Sequence, residues 1–318
     1  MRSGLIVNPR SGKSSGKGLA LAGKLSALPN VSVRVIEEFG RLPALLDDLA
    51  RESVTDLFIS SGDGTIQAIQ TELAERQPFR TLPRLALLPH GTTNMTAADL
   101  GFRQRHLDAQ TAFIANPAGG GTRDRRTLRA ANPRDGRPRH GMFLGTGAIS
   151  EATLYCQQAF NARGVKGNWA TFATLAGAVA KTVFSKPNPD DATRFDRPFP
   201  IRVLADGQPM SDGTQLLMLA TTLEKLILGA RPFWGGRQEG LRASVLPYPV
   251  PNVWRWLVPL MYGAETRSVP PGATSRAAAV LEVWSSVSFV IDGEFFDGPA
   301  EGPLRIETGP AFTYLLGK

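Results

Sequence analysis

The chain has a single cysteine, Cys156, in 318 residues. That excludes a disulfide framework and a zinc ribbon, and it fits a reducing compartment. Long apolar runs are also missing. The best candidate for a membrane span is 167–184, where Lys166 and Lys181 leave only 14 uncharged residues between them. A helical span needs about 20, so this segment is expected to be a packed helix. The first residues, MRSGLIVNPRSG, lack an apolar stretch followed by a small-residue cleavage site, and no signal peptide is expected. Acidic residues are in the minority, 28 against 36 Lys+Arg, for a formal net charge of +8. No RNA- or DNA-binding motif accompanies that charge. The surface is therefore expected to meet an anionic membrane or a nucleotide rather than nucleic acid.

What is present describes a globular protein: 42% hydrophobic and 20% charged residues, with 33 glycines and 24 prolines that imply many turns. The length suits two domains. Through about residue 121, short apolar runs and helical spacings alternate. Strands are expected at 5–7, 31–36, 57–59 and 84–88, and helices at 18–28, 42–51 (Leu45, Leu46 and Leu49 inward), 66–75 and 93–100. This rhythm predicts a parallel sheet with helices on both faces. After about residue 122, turn pairs multiply (Asn132-Pro133, Asp135-Gly136, Asp206-Gly207, Asp212-Gly213, Asp292-Gly293) between short apolar runs, with helices expected at about 150–161 and 168–184. The second part, 122–304, is expected to be β-rich, and the strand-like 304–316 could pack on either domain. Seven arginines fall between Thr122 and Gly141, at 123, 125, 126, 129, 134, 137 and 139. They make either an exposed hairpin with solvated charges or a face held against an anionic surface.

Ligands of parallel α/β sheets gather at the carboxyl ends of the strands. Three polar, glycine-containing loops follow strands there: 8–16, 60–65 and 89–94. In Ser61-Gly62-Asp63-Gly64-Thr65 the glycines let backbone N–H groups approach phosphate oxygens. The helix that starts near Thr65 offers unpaired N–H groups and a positive dipole end. Asp63 would repel naked phosphate, so it should hold a cation or accept a proton. The same stretch also makes a good tight turn. Two partial patterns fail. Gly12-Lys13-Ser14 ends like a P-loop, but the glycine required five residues earlier is Val7. Gly12-Lys13-Ser14-Ser15-Gly16 matches a hydrolase nucleophile elbow, but Pro9 separates it from the strand, and the histidines are only His90, His106 and His140.

Asn8-Pro9-Arg10-Ser11-Gly12, Ser61-Gly62-Asp63-Gly64-Thr65, Gly91-Thr92-Thr93-Asn94 and Ile291-Asp292-Gly293-Glu294, in this order, resemble the diacylglycerol kinase catalytic family, which includes diacylglycerol, sphingosine and ceramide kinases and bacterial lipid kinases. The resemblance implies an NAD-kinase-like parallel α/β domain that binds ATP (1–121, with 305–318 returning to it). It also implies a C-terminal β-sandwich domain for the lipid acceptor (122–304). It places ATP contacts at Asn8, Pro9, Arg10, Ser11 and Gly12, at Ser61, Gly62, Asp63, Gly64, Thr65 and Gln67, and at Gly91, Thr92 and Asn94. Mg²⁺ comes with the nucleotide, near Asp63. A carboxylate base is implied at Asp63, Asp292 or Glu294, with the latter two favoured. The chain looks like a bacterial member, cytoplasmic and peripheral at the inner face of the cell membrane. Its partners would be a membrane lipid substrate, an anionic membrane surface and, as an allowed arrangement, a second copy of itself.

Three positions depart from the family pattern. Ser61 stands where a glycine is usual, as in sphingosine kinases, and Met95 stands where many members have aspartate. Arg237-Gln238-Glu239-Gly240 replaces an Asp-Gly that helps hold a structural Mg²⁺, leaving Glu239 as the remaining candidate ligand. The expected activity is phosphorylation of a primary hydroxyl on a membrane lipid, with a ceramide or sphingoid acceptor slightly favoured over diacylglycerol. An NAD-kinase-like nucleotide kinase and a lipid-binding protein without catalysis are the alternatives. Residues 247–262, PYPVPNVWRWLVPLMY, carry interface-preferring aromatics and read either as a membrane contact or as a loop packed on its own domain.

Overall fold

The computed structural model describes residues 2–11, 15–91, 93–102, 104, 106–163, 194, 197–235, 240–262 and 268–317, with the backbone alone at 15 and 158–163. The expected helix at 168–184, together with Gly12, Thr92 and Glu239, lies outside the described residues. The chain divides into two compact units, Met1–Thr127 with Gly309–Lys318, and Leu128–Thr308. Among the described residues no helix is long and apolar enough to cross a membrane.

The first unit is a parallel sheet. Strands β1 (Ser3–Val7), β2 (Val31–Val35), β3 (Asp56–Ser61) and β4 (Arg84–Pro89) lie in the order β2-β1-β3-β4. The last part of β15 (Leu304–Gly317) runs parallel to β4, with Tyr314 opposite Leu85. Period-two alternation gives each face of β1 its own partner. Leu5 and Val7 pack with Leu21 and Leu25 of α1 (Ser15–Leu25) and Phe113 and Ile114 of α5 (Leu107–Ala115). Gly4, on the opposite face, meets Leu49 of α2 (Leu42–Arg51). In α2 the buried stripe is Leu42, Leu46 and Leu49, while Leu45 is only half-buried. Helical spacing places 42, 46 and 49 on one line, so the inward face is rotated from the expected 45–46–49 set. Two further helices follow strands, α3 (Asp63–Glu75) after β3 and α4 (Met95–Leu100) after β4. Gln70 of α3 donates to the buried Tyr314 hydroxyl at 2.8 Å, tying the returning strand to the unit.

The second unit is antiparallel. It orders β14 (Glu294–Phe296), β13 (Phe289–Ile291), β7 (Phe143–Gly147), β9 (Gln208–Thr221), β8 (Phe199–Ala205), β12 (Val280–Ser285) and the start of β15, with β10 (Leu241–Pro247) also on β9 and β11 (Thr274–Ala278) on β10. Strand β8 alternates inward Phe199, Ile201 and Val203 with outward Pro200 and Arg202. The inward residues join Leu144, Met218, Val245, Leu281, Phe289 and Ile306 in one apolar core. Helix α6 (Ala148–Arg163) follows β7, and α7 (Val253–Met261) occupies the tryptophan-rich segment, where an irregular loop was one of the two expectations. The fold class read from the sequence is therefore found: a parallel α/β unit followed by an antiparallel β unit.

The arginine run is woven into the fold. Arg125 pairs with buried Asp99, Arg123 donates to the Asp99 carbonyl and Arg126 to the Gly309 carbonyl. In the second unit Arg129 pairs with Glu307, Arg139 pairs with Asp135, and Arg134 donates to the Gly298 carbonyl. Most of these charges cross-link strands and loops rather than stand solvated.

Candidate active site

The order β2-β1-β3-β4 reverses direction between β1 and β3, and such a switch point opens a crevice at the carboxyl ends of those strands. The loops after β1, β3 and β4 meet there. Asn8 opens the first: its backbone N–H bonds the Ser60 carbonyl, its side-chain oxygen accepts the Arg10 N–H, and its amide donates to Thr65 Oγ1 at 2.8 Å. One side chain thus shapes its own turn and joins it to the first turn of α3.

Gly62 is the N-cap of α3 and provides no side-chain bond to the helix. The first helical bond runs from the Ile66 N–H back to the Gly62 carbonyl, which leaves the opening N–H groups free to meet an anion. The third loop lies directly against this turn. A Cβ on Gly91 would overlap the Gly62 Cα and stand 3.0 Å from both the Gly62 nitrogen and Asn94 Oδ1. Asn94, in the left-handed region at φ 50°, exchanges two 2.7 Å bonds with the backbone of Gly91. The expected proximity of the three loops is therefore real.

Two buried hydroxyls at this junction, Ser11 Oγ and Ser61 Oγ, have no hydrogen-bond partner among the described residues. Ser11 Oγ is 3.4 Å from where a Gly62 Cβ would be. Buried polar groups are rarely left unmatched. Two orphaned hydroxyls beside an uncapped helix N-terminus and a glycine-to-glycine contact fit the phosphates of a nucleotide. Arg10 is exposed and Pro9 half-buried at the rim, and the buried Gln67 donates to Thr71 one turn along α3.

Asp63 takes a position that its motif did not reveal. Its carboxylate turns to the start of α4 and accepts the N–H groups of Met95 at 3.1 Å and, more weakly, Thr96 at 3.4 Å. It supplies the cap that Asn94 does not give its own helix. Burial pushes its pKa up, and the N–H donors at 94–96 oppose that shift. As a ligand to the nucleotide's metal, Asp63 would have to share oxygens already bonded to backbone. No group of three or more His, Cys, Asp or Glu side chains that could hold a metal occurs among the described residues.

His90 was not singled out by the sequence, although it sits inside the third loop. It is buried, with Nδ1 2.8 Å from Ser60 Oγ. Desolvation, helped by the nearby Lys17 charge, lowers its pKa to about 4. The folded state therefore binds its proton less readily than the unfolded chain. The stability it confers is complete above the unfolded value near 6.5 and is lost as pH falls toward 4. Urea denaturation should show roughly 3 kcal/mol lost over that interval through this residue. His90→Gln should flatten the acid limb relative to wild type, and parallel curves for the two proteins would contradict the assignment.

In the second unit Asp292 and Gly293 form the two-residue turn between β13 and β14, both at positive φ (49° and 93°), with Ile291 opposite Glu294. The Asp292 carboxylate accepts the N–H groups of Met142 at 2.8 Å and Phe143 at 3.0 Å. A Cβ on Gly141 would stand 2.6 Å from its Oδ2. The Asp206-Gly207 hairpin repeats this design, with Asp206 accepting from Ala279 and Val280 at 2.9 Å each. The bonding of Asp292 is thus that of a hairpin anchor. Glu294, one residue past the turn, is exposed, and no hydrogen bond or ion pair occupies its carboxylate among the described residues. A cavity of about 20 Å³ lies inside this unit, lined by Leu144, Met218, Val283, Phe289 and Ile306. It has room for about one water, far less than an acyl chain.

A doubly wound parallel unit with polar, glycine-bearing loops at its switch point has its ligand crevice at those loops. Residues 2–116 match the family model of the diacylglycerol kinase catalytic domain. This segment is therefore similar to the catalytic domain of the family that the four motifs resemble. Over nearly the whole length the chain is similar to a structure from Bacillus anthracis str. Sterne named as a diacylglycerol kinase, at 18% identity and a TM-score of 0.64, covering 99% of this chain and 97% of that one. A second structure from the same organism, carrying that name provisionally, aligns at 19% identity and a TM-score of 0.66 with the same coverage. At these identities the likeness concerns the fold. A search of curated proteins finds no match.

Proposed function

We propose that the protein is an ATP-dependent lipid kinase that transfers the γ-phosphate to the primary hydroxyl of a membrane lipid, a ceramide or sphingoid acceptor being slightly favoured over diacylglycerol. The observation that carries the nucleotide half is the pair of orphaned hydroxyls, Ser11 and Ser61, at the uncapped start of α3. In this reading both donate to phosphate oxygens. The backbone at Gly62 and Gly91 approaches the triphosphate, while Asn8 and Asn94 keep the three loops together. Mg²⁺ bound with the nucleotide supplies charge neutralisation, the main requirement of phosphoryl transfer beside positioning.

The first unit is assigned the nucleotide, and the second the acceptor and its base. Glu294 is the base, because its carboxylate is unoccupied where that of Asp292 is bonded to backbone. It takes the acceptor's hydroxyl proton as that oxygen bonds the γ-phosphorus; the bond to the β-bridging oxygen breaks and ADP leaves. Asp292 acts by fixing the hairpin from which Glu294 projects.

The test is transfer from γ-labelled ATP to ceramide, sphingosine, diacylglycerol and monoacylglycerol in mixed micelles, with NAD in a parallel reaction. One organic-soluble labelled product supports the proposal and names the acceptor. Labelled NADP with no labelled lipid overturns it in favour of a nucleotide kinase.

A further inference from the structure

Apart from Arg255, every residue of helix α7 is apolar, yet only part of the helix is covered. Leu260 is buried and Val253 and Trp256 are half-buried, while Trp254, Leu257 and Val258 are exposed at 55%, 39% and 59%. Positions 254, 257 and 258, followed by the half-buried Met261, form one helical stripe. The apolar stripe of a helix normally packs against a neighbour, and among the described residues the outer stripe of α7 has no cover.

A second segment, which the sequence did not mark, adds to the stripe. The turn Ile227–Gly229 exposes Ile227 at 47% and Leu228 at 62%. It lies beside the end of α7: the Tyr262 hydroxyl donates to the Leu228 carbonyl at 3.3 Å, and the Arg231 N–H donates to the Met261 carbonyl at 2.6 Å. Leu228 has φ 58°, a conformation that branched and bulky residues rarely adopt. The fold thus holds a large apolar side chain outward at a position where burial cannot account for the strain.

Charge decides the occupant. Along 224–231 and 251–262 the exposed cations are Lys225, Arg231 and Arg255, against one carboxylate, Glu224. Arg255 lies over the Trp254 ring, 5.8 Å from its centroid. An isologous contact with a second copy would set this cationic rim against itself. An anionic bilayer offers acyl chains to the apolar stripe and phosphates to the rim. We propose that the α7 stripe and the Ile227–Gly229 turn together form a docking surface for an anionic phospholipid bilayer, with Leu228, Trp254, Leu257 and Val258 inserted and Arg231 and Arg255 at the headgroups. The surface stands on its own residues; only its use in reaching an acceptor rests on the lipid-kinase reading.

The experiment is vesicle sedimentation of the full chain without nucleotide, using phosphatidylcholine alone and phosphatidylcholine with phosphatidylglycerol. Wild type binds the anionic vesicles more tightly, and bromine-labelled acyl chains quench its tryptophan fluorescence. The triple substitution Leu228→Ser, Trp254→Ser, Val258→Ser weakens binding by roughly tenfold or more, with circular dichroism and melting as in wild type. Arg231→Glu with Arg255→Glu removes the preference for phosphatidylglycerol. Undiminished binding by the triple variant would overturn the proposal. So would a wild-type dimer, without vesicle affinity, that the triple variant converts to monomer. A chain that phosphorylates micellar lipid yet ignores vesicles overturns the docking surface and leaves the kinase reading intact. Vesicle binding without any transfer does the reverse.

Discussion

Glu294→Gln should leave the melting temperature where it is and lower kcat for lipid phosphorylation by about 10²- to 10⁴-fold, the usual contribution of a general base. The carboxylate is exposed and makes no hydrogen bond or ion pair among the described residues, so its replacement costs the fold little. Asp292→Asn should behave in the opposite way. An amide can accept only one of the two N–H bonds now reaching the carboxylate from Met142 and Phe143. The remaining N–H would face an NH₂ group, at a cost of about 1–3 kcal/mol. The Asn variant should melt earlier and retain more of kcat than Glu294→Gln. Both quantities come from one pair of proteins, by calorimetry and steady-state kinetics. If Asp292→Asn abolished turnover while melting like wild type, the base would be Asp292 and the roles of the two carboxylates would be exchanged.

Gly91→Ala is expected to be the most damaging single-methyl change in the nucleotide loops. The added carbon would overlap the Gly62 Cα, and both partners are backbone, so no side-chain rotation can relieve the contact. Overpacking of this kind typically costs about 1–3 kcal/mol. Here it also separates the two loops whose backbone is assigned to the triphosphate, so ATP affinity should fall together with stability. Gly23→Ala is the matched control. Its site in α1 is open, with nothing within 4 Å of the new carbon, and helix propensity favours alanine there by about 0.5–1 kcal/mol. Isothermal titration with ATP separates the cases: Gly23→Ala binds as wild type, Gly91→Ala weakly or not at all. Wild-type affinity in Gly91→Ala would mean that the Gly62–Gly91 contact plays no part in the nucleotide site.

The alternation of strand and helix through the first unit was legible because each buried strand is a short apolar run and each helix carries its own periodicity. The same holds for helix 42–51, whose limits coincide with α2. The three loops were legible because polar, glycine-bearing stretches directly follow three of the short apolar runs. The direction in which a side chain turns was not. Asp63 reads as an active-site carboxylate, yet it reaches across to cap α4, a partner 32 residues away that appears only once β3 and β4 are adjacent. The Ser60–His90 contact arises from the same pairing. Asp292 and Asp206 are indistinguishable as Asp-Gly turns, and the backbone N–H groups they receive come from strands far along the chain. Local pattern left the arginine run between a solvated hairpin and a face held against an anionic surface, because ion-pair partners such as Asp99 and Glu307 are invisible to it. Tertiary pairing decides all of these, and the local sequence carries no record of it.

Transfer of the γ-phosphate of ATP onto a lipid hydroxyl is the activity proposed for this chain. Its most direct test is mass spectrometry of the product formed when ATP and a micellar ceramide or diacylglycerol are incubated with wild type and with Glu294→Gln. Wild type should form a phosphomonoester at the primary hydroxyl in step with ADP, and the variant should form less by about a hundredfold or more. ADP and inorganic phosphate from wild type with no phosphorylated lipid, or equal yields from the two proteins, would contradict it.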